Sequence, residues 1–132
     1  MTLGVRGLVV NADGHVLLIE HTYMPGWYMP GGGVEKGETC EQSVIRELHE
    51  EAGIHVQGRP ALVSVHSNDK RFPGDHVLIY RVDAWTQTEP TQKGEILQIG
   101  WFAPDALPQD VTPSTRKRIL EALAGHEPHP LW

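Results

Sequence analysis

Apolar and polar positions divide the chain into short runs that predict strands and two longer amphipathic stretches that predict helices. The first two runs flank Asp13-Gly14, and an Asp-Gly step between β-rich segments predicts a hairpin. The segment 25–37 is so rich in Gly and Pro that we expect no regular structure there. Five strands are predicted: Leu3–Val10, His15–Glu20, Ile54–Val65, His76–Trp85 and Glu95–Phe102.

The first predicted helix follows the glycine-rich segment and carries signals at both ends. Thr39 is an N-cap residue with Gln42 three positions later, which is the spacing of a capping box. Gly53 stands where a left-handed residue would end the helix. The apolar positions that recur at helical spacing are Val44, Ile45, Leu48 and Ala52.

The second predicted helix begins at Thr112-Pro113 and ends at Gly125, with proline at the first helical position. Strands and helices are mixed without strict alternation, so the predicted class is α/β with helices flanking a mixed sheet. A length of 132 residues fits one domain, which we place at residues 2–125. Residues 126–132 are expected to form an irregular C-terminal tail.

Composition narrows the range of partners and locations. Asp and Glu number 17 against 11 Lys and Arg, a net charge of −6, so a stable nucleic-acid partner is not expected. The single Cys40 forms no internal disulfide, and no run approaches the roughly 18 apolar residues of a membrane span. We therefore expect a cytoplasmic protein with no membrane association.

Three glutamates of the first helix form the clearest candidate for chemistry. Glu47, Glu50 and Glu51 share one face at about 100° per residue. Like charges at this spacing oppose folding by about 0.2–0.5 kcal/mol per pair. Clustered carboxylates are what Mg²⁺ or Mn²⁺ binds, whereas a solvated acidic face is the alternative interpretation.

The glycine loop and helix together resemble the signature of the Nudix hydrolases. That signature requires glycine, glutamate, arginine and aliphatic residues at set spacings, and each of its defined positions is matched between residues 32 and 54. The matching residues are Gly32, Glu38, Arg46, Glu47, Leu48, Glu50, Glu51, Gly53 and Ile54.

The resemblance implies an α/β/α sandwich with a mixed sheet. It also implies a metal-dependent pyrophosphohydrolase that uses Mg²⁺ or Mn²⁺ to cleave a nucleoside diphosphate linked to another moiety. Under this resemblance Glu50 and Glu51 would be metal ligands, and Glu47 a third ligand or the base that activates water. Arg46 would orient Glu47, and the Gly31 carbonyl would add a ligand.

Two further acids receive roles from the same resemblance. Glu38 would brace the loop against the helix. Glu95 would act as base or ligand, as acids from this region do in some relatives, or would be an exposed residue at the end of a strand.

Four residues are candidates for substrate binding. Trp27 and Tyr28 flank the glycine loop and would stack on a base or, alternatively, pack as core or rim aromatics. Arg6 would contact a phosphate, with plain surface charge as the alternative, and His21 is expected near the site.

Residues outside the signature favour one substrate class. Markers of ADP-ribose, dinucleoside polyphosphate and coenzyme A hydrolases are missing at their expected spacings, which favours a (deoxy)nucleoside triphosphate. ADP-ribose or another nucleotide sugar is the alternative substrate. The alternative function is a non-catalytic module that senses a nucleotide. The oligomeric state is left open, with a homodimer as one alternative.

Overall fold

The computed structural model describes residues 1–92 and 94–132. Within those ranges the fold consists of nine strands and two α helices. The strands are β1 Thr2–Val9, β2 Val16–His21, β3 Trp27–Tyr28, β4 Gly31–Gly33, β5 Ile54–Val56, β6 Ala61–Ser67, β7 Asp75–Val82, β8 Trp85–Gln87 and β9 Ile96–Phe102. The helices are α1 Cys40–Ala52 and α2 Pro113–Leu123.

The strands form a mixed four-stranded sheet, an antiparallel three-stranded sheet and a two-stranded ladder. The four-stranded sheet has the order β4-β1-β7-β6, and β1 runs parallel to β7 from Thr2 beside Asp75 to Val9 beside Val82. The three-stranded sheet has the order β3-β2-β9, and β5 pairs with β8. The predicted mixed pairing is confirmed.

The predicted hairpin is present only as a turn. The Asn11 side chain accepts hydrogen bonds from the backbone N–H groups of Asp13 and His15, and Gly14 has a φ of 76°. Beyond the bridge between Val10 and Val16, β1 and β2 separate into different sheets. The hairpin prediction was wrong at this point because β1 finds its long partner in β7, far away along the chain.

Two predicted strands are each divided in two. The expected strand 54–65 breaks between β5 and β6 at residues 57–60, where Gly58 has a φ of 75°. The expected strand 76–85 breaks between β7 and β8, because β8 pairs with β5 rather than continuing the four-stranded sheet. Apolar periodicity alone does not reveal such changes of partner.

The glycine-rich segment contains regular structure, contrary to the prediction. β4 pairs antiparallel with β1, with Gly31 beside Arg6 and Gly33 beside Gly4. A Cβ on Gly31 would meet the Val5 carbonyl oxygen at 2.0 Å, so only glycine permits this approach. The composition of this segment predicted an irregular loop, whereas the close approach of its backbone to β1 allows it to pair as a strand.

The signature helix α1 begins and ends as predicted. Thr39 and Gln42 form both hydrogen bonds of the capping box, and Gly53 adopts the left-handed conformation at a φ of 67°. Val44 and Leu48 are fully buried, whereas Ile45 is 36% exposed. Ile45 therefore lies at the margin of the apolar face rather than inside it.

Two apolar clusters on opposite faces of the sheets confirm the α/β/α layering. Successive residues of β2 alternate between them, with Leu17 and Ile19 facing α1 and Leu18 facing α2. Leu48 of α1 belongs to the first cluster and Ile119 of α2 to the second. Among the described residues, neither helix is long and apolar enough to span a membrane.

Candidate active site

Arg46 is the centre of the acidic network on α1. Its guanidinium donates two hydrogen bonds to Glu38, at 2.7 and 3.0 Å, and one to Glu47 Oε1 at 3.0 Å. A longer contact of 3.4 Å reaches Glu50 Oε2. These bonds lower the pKa of Glu38 to about 2. The contacts predicted for Arg46 with Glu47 and for Glu38 as a brace are both present.

Glu51 and Glu47 lie against β4. The Gly31 N–H donates to Glu51 Oε1 at 2.8 Å, and Glu51 is only 5% exposed. A Cβ on Gly32 would meet Glu47 Oε1 at 2.5 Å, so the carboxylate rests directly on the strand. Burial and the charge of Glu47 raise the pKa of Glu51 to about 8. Glu47 and Glu51 therefore form an acidic corner against β4, and the negative charge of the two carboxylates is poorly compensated there.

This corner fits a hard divalent cation in its chemistry. Carboxylate oxygens are ligands that Mg²⁺ and Mn²⁺ prefer. Within residues 1–92 and 94–132, no three acidic, His or Cys side chains converge as a complete metal cluster. Protein donors hold the carboxylates instead, with Arg46 on Glu47 and Glu50 and the Gly31 amide on Glu51.

Glu95 lies at the edge of the same corner. The Thr22 N–H donates to the Glu95 carbonyl oxygen at 3.0 Å, which ties the start of β9 to the end of β2. The charge of Glu95 helps to raise the pKa of Glu51, after the larger effects of burial and Glu47. Glu95 is exposed, as an acid facing a substrate cleft or solvent would be.

A cluster of aromatic rings and one arginine forms the neighbouring wall. The His21 ring lies 5.0 Å from that of Tyr23 and 5.9 Å from that of Tyr28. The Arg6 guanidinium lies 5.9 Å from the Tyr28 ring centre and donates to the Met29 carbonyl oxygen at 2.9 Å. Burial, and then the positive charge of Arg6, lowers the pKa of His21.

Trp27 does not belong to this wall. It is 8% exposed in the core cluster facing α2, and its ring meets the edge of Phe102 at 5.0 Å. Trp27 was expected either to stack on a base or to pack as a core or rim aromatic, and the structure shows it packed in the core. The structure does bring together the other three candidates for substrate binding, which are Arg6, His21 and Tyr28.

Sequence reasoning missed two residues of this region. Tyr23 is 68% exposed, and its pKa is raised by partial burial and by the charges of Glu51 and Glu95, which places it beside the acids. Its only sequence signal is an aromatic just beyond β2. Gln92 donates to Glu50 at 3.1 Å from a loop 42 positions later, and no motif marks it.

Comparisons with known proteins cover most of the chain. A family model described as NUDIX domain covers residues 1–123. A MutT-like protein of Streptomyces ambofaciens is 34% identical over 128 residues, which cover 97% of this chain and 80% of the relative. A putative 8-oxo-dGTP diphosphatase of Bacillus subtilis is 28% identical over 125 residues, covering 94% and 81%.

Solved structures show the same fold. The crystal structure of a MutT NUDIX hydrolase from Burkholderia pseudomallei has a TM-score of 0.77 and 31% identity, covering 89% of this chain and 95% of that chain. The predicted fold class is thereby confirmed. The family model, the relatives and the shared fold agree, so the chain belongs to the Nudix family and is a hydrolase that acts on pyrophosphate bonds.

Proposed function

We propose that the chain hydrolyses (deoxy)nucleoside triphosphates to the monophosphate and pyrophosphate, with Mg²⁺ or Mn²⁺. The observation that carries this proposal is the corner in which buried Glu51 and half-buried Glu47 both lie against β4. Two neighbouring carboxylates whose negative charge is only partly compensated favour a divalent cation, and such a cation binds substrate phosphates. The Bacillus subtilis relative is named for a nucleoside triphosphate, which supports this substrate class.

The residues divide the work by their positions. Glu50, Glu51 and the Gly31 carbonyl would hold the cation, which would neutralise phosphate charge and lower the pKa of a bound water. Glu47 would be a third ligand or take a proton from the attacking water, and Arg46 fixes its carboxylate by the 3.0 Å bond. Glu95 would be the alternative base.

The aromatic wall would bind the nucleoside. The rings of Tyr23 and Tyr28 lie 5.0 and 5.9 Å from that of His21, and a ring stacked on a base contributes about 1–3 kcal/mol. Arg6 lies near enough to Glu51 and Glu47 for their charges to act on it, and it would contact a phosphate bound at the corner.

The test is a substrate panel with Mg²⁺ or Mn²⁺ and identification of the products. The panel holds ribo- and deoxynucleoside triphosphates, 8-oxo-dGTP, ADP-ribose and a nucleotide sugar. We expect fastest turnover of a triphosphate, with monophosphate and pyrophosphate as products. Faster turnover of ADP-ribose would replace the proposed substrate class, and binding without turnover would favour a nucleotide-sensing module.

Glu51→Gln tests the corner directly. Loss of the carboxylate that would hold the cation should lower kcat by about 100-fold or more, as when an electrostatic contact to a transition state is removed. Glu41→Gln is the matched control, because Glu41 lies in the first turn of α1 and pairs with Arg59 away from the cluster. Wild-type activity in Glu51→Gln would contradict the assignment.

A further inference from the structure

Gln92 joins the loop between β8 and β9 to the carboxyl-terminal turn of α1. Its backbone N–H donates to the Glu50 carbonyl oxygen at 2.9 Å. Glu50 is one of the last four residues of α1, whose carbonyls lack partners within the helix. This bond holds the loop on the helix whatever side chain stands at position 92.

The side chain of Gln92 makes a second, separate contact with the same glutamate. Its Nε2 donates to Glu50 Oε2 at 3.1 Å, and Arg46 Nη1 approaches that oxygen at 3.4 Å. Both donors therefore meet one carboxylate oxygen. Neither of these two donors engages Glu50 Oε1.

The chemistry of the donor also matters. Arg46 is a cation already shared with Glu38 and Glu47. The amide of Gln92 is neutral, so it directs the carboxylate without cancelling its charge. Such outer contacts fix the orientation of metal ligands, and their loss commonly costs 10–100-fold in metal affinity or activity.

Gln92 further links Glu50 to the second candidate acid. The Glu95 N–H donates to the Gln92 carbonyl oxygen at 3.3 Å, closing the turn that carries Glu95. One residue thus contacts the backbone and side chain of Glu50 and the backbone of Glu95.

We propose that Gln92 is a positioning residue, which turns the Glu50 carboxylate toward the divalent cation and aligns the Glu95 turn with it. This role rests on the proposed function, in which Glu50 is a cation ligand. In this proposal Gln92 acts through its contacts with Glu50 and the backbone of Glu95.

The test replaces Gln92 with methionine, which keeps the side-chain length and the backbone N–H but removes the amide. We expect the dissociation constant for Mn²⁺, measured by electron paramagnetic resonance without nucleotide, to rise about ten-fold. We also expect a lower kcat with little change in KM for the nucleotide, and a Tm close to that of the wild type. Unchanged Mn²⁺ affinity would overturn the proposal.

A double-mutant cycle separates positioning from a general structural effect. Gln92→Met in a Glu50→Gln background should leave Mn²⁺ affinity at the level of Glu50→Gln alone, because Gln92 acts through the Glu50 carboxylate. Additive losses would overturn the proposal, and this holds even if Gln92→Met lowers Tm. Gln98→Met is the matched control, since the Gln98 side chain donates to Glu20 at 3.2 Å and not to the glutamates of α1.

The two proposals fail in different ways. Weaker Mn²⁺ binding by Gln92→Met in a chain that turns over no nucleotide would support the role of Gln92 and overturn the proposed reaction. Normal turnover by the wild type with unchanged Mn²⁺ affinity in Gln92→Met would overturn the role of Gln92 alone.

Discussion

At the residue scale, three consecutive glycines of β4 meet different surroundings. A Cβ on Gly31 would strike the Val5 backbone, whereas one on Gly32 would strike only the end of the flexible Glu47 side chain. A Cβ on Gly33 would find no atom within 4 Å. Of these glycines, Gly32 is therefore the one whose small size serves the position of a carboxylate.

Gly32→Ala should impair activity more than stability. The new methyl group would displace the Glu47 carboxylate from its place beside Arg46, and a misplacement of about 1 Å can cost roughly 100-fold in rate. The measurements are kcat for the preferred nucleotide and Tm. Gly33→Ala is the control and should retain wild-type activity. Equal activity in both variants would contradict the inferred contact.

At the element scale, α1 joins the acidic cluster to the core. Its acids point toward β4, and on its apolar face Leu48 packs so closely on β1 that a Cβ on Gly7 would lie 2.6 Å from Leu48 Cδ2. The capping box and Gly53 set where the helix begins and ends. The depth of Leu48 on Gly7 thus sets the distance between the glutamates and the strand.

Leu48→Ala should destabilise the fold strongly. Leu48 is fully buried, and truncating such a leucine costs about 2–5 kcal/mol because a cavity remains. The free energy of unfolding in urea measures this loss. Ile45→Ala on the same helix is the control, and its smaller cost should reflect the 36% exposure of Ile45. Equal losses would contradict the orientation of α1.

At the scale of the whole molecule, the C-terminal tail is fastened to both β6 and α2. Ser67 N–H donates to the Pro130 carbonyl oxygen at 2.7 Å, and Arg118 Nη1 donates to that of Leu131 at 2.7 Å. His66, fully buried on β6, donates from Nδ1 to the His129 carbonyl oxygen. The tail contains the isolated bridge between Ser67 and Leu131 and is well anchored.

The anchoring of the tail should make stability depend on pH through His66. Because the carbonyl only accepts, Nδ1 carries the proton and neutral Nε2 accepts from the Ser64 hydroxyl at 2.7 Å. Burial lowers the pKa of His66 below 6.5. Its neutral form therefore contributes stability fully above pH 6.5, and that contribution is lost as pH falls from 6.5 toward the folded pKa.

Urea unfolding at a series of pH values between about 8 and 5 checks this prediction. We expect His66→Asn to show a shallower loss of unfolding free energy on acidification than the wild type. His126→Asn, at an exposed position of the same tail, is the control and should keep the wild-type slope. An unchanged slope in His66→Asn would contradict the assignment.

Much of the fold was predictable because its signals are local. The caps of α1 depend on Thr39, Gln42 and Gly53, and their preferences operate within one helical turn. The mixed pairing and the helix-flanked class followed from the order of elements. The pairing of β1 with β7 was not predictable, since the two strands are separated by about 70 residues. The alternation of apolar and polar residues along a strand does not indicate which other strand it pairs with.

The sequence by itself determined the family and the reaction class, because every defined position of the signature between residues 32 and 54 is matched. It also determined the acids on α1, because spacing along a helix places Glu47, Glu50 and Glu51 on one face. Only the tertiary structure decided which of these acids is buried against β4, since Gly31 reaches Glu51 across 20 positions. It also decided that Trp27 packs in the core while Tyr23 lies beside the acids, and that Gln92 holds Glu50. These contacts join residues that are distant in the chain. Such residues meet only when the strands pair into sheets and α1 packs on them.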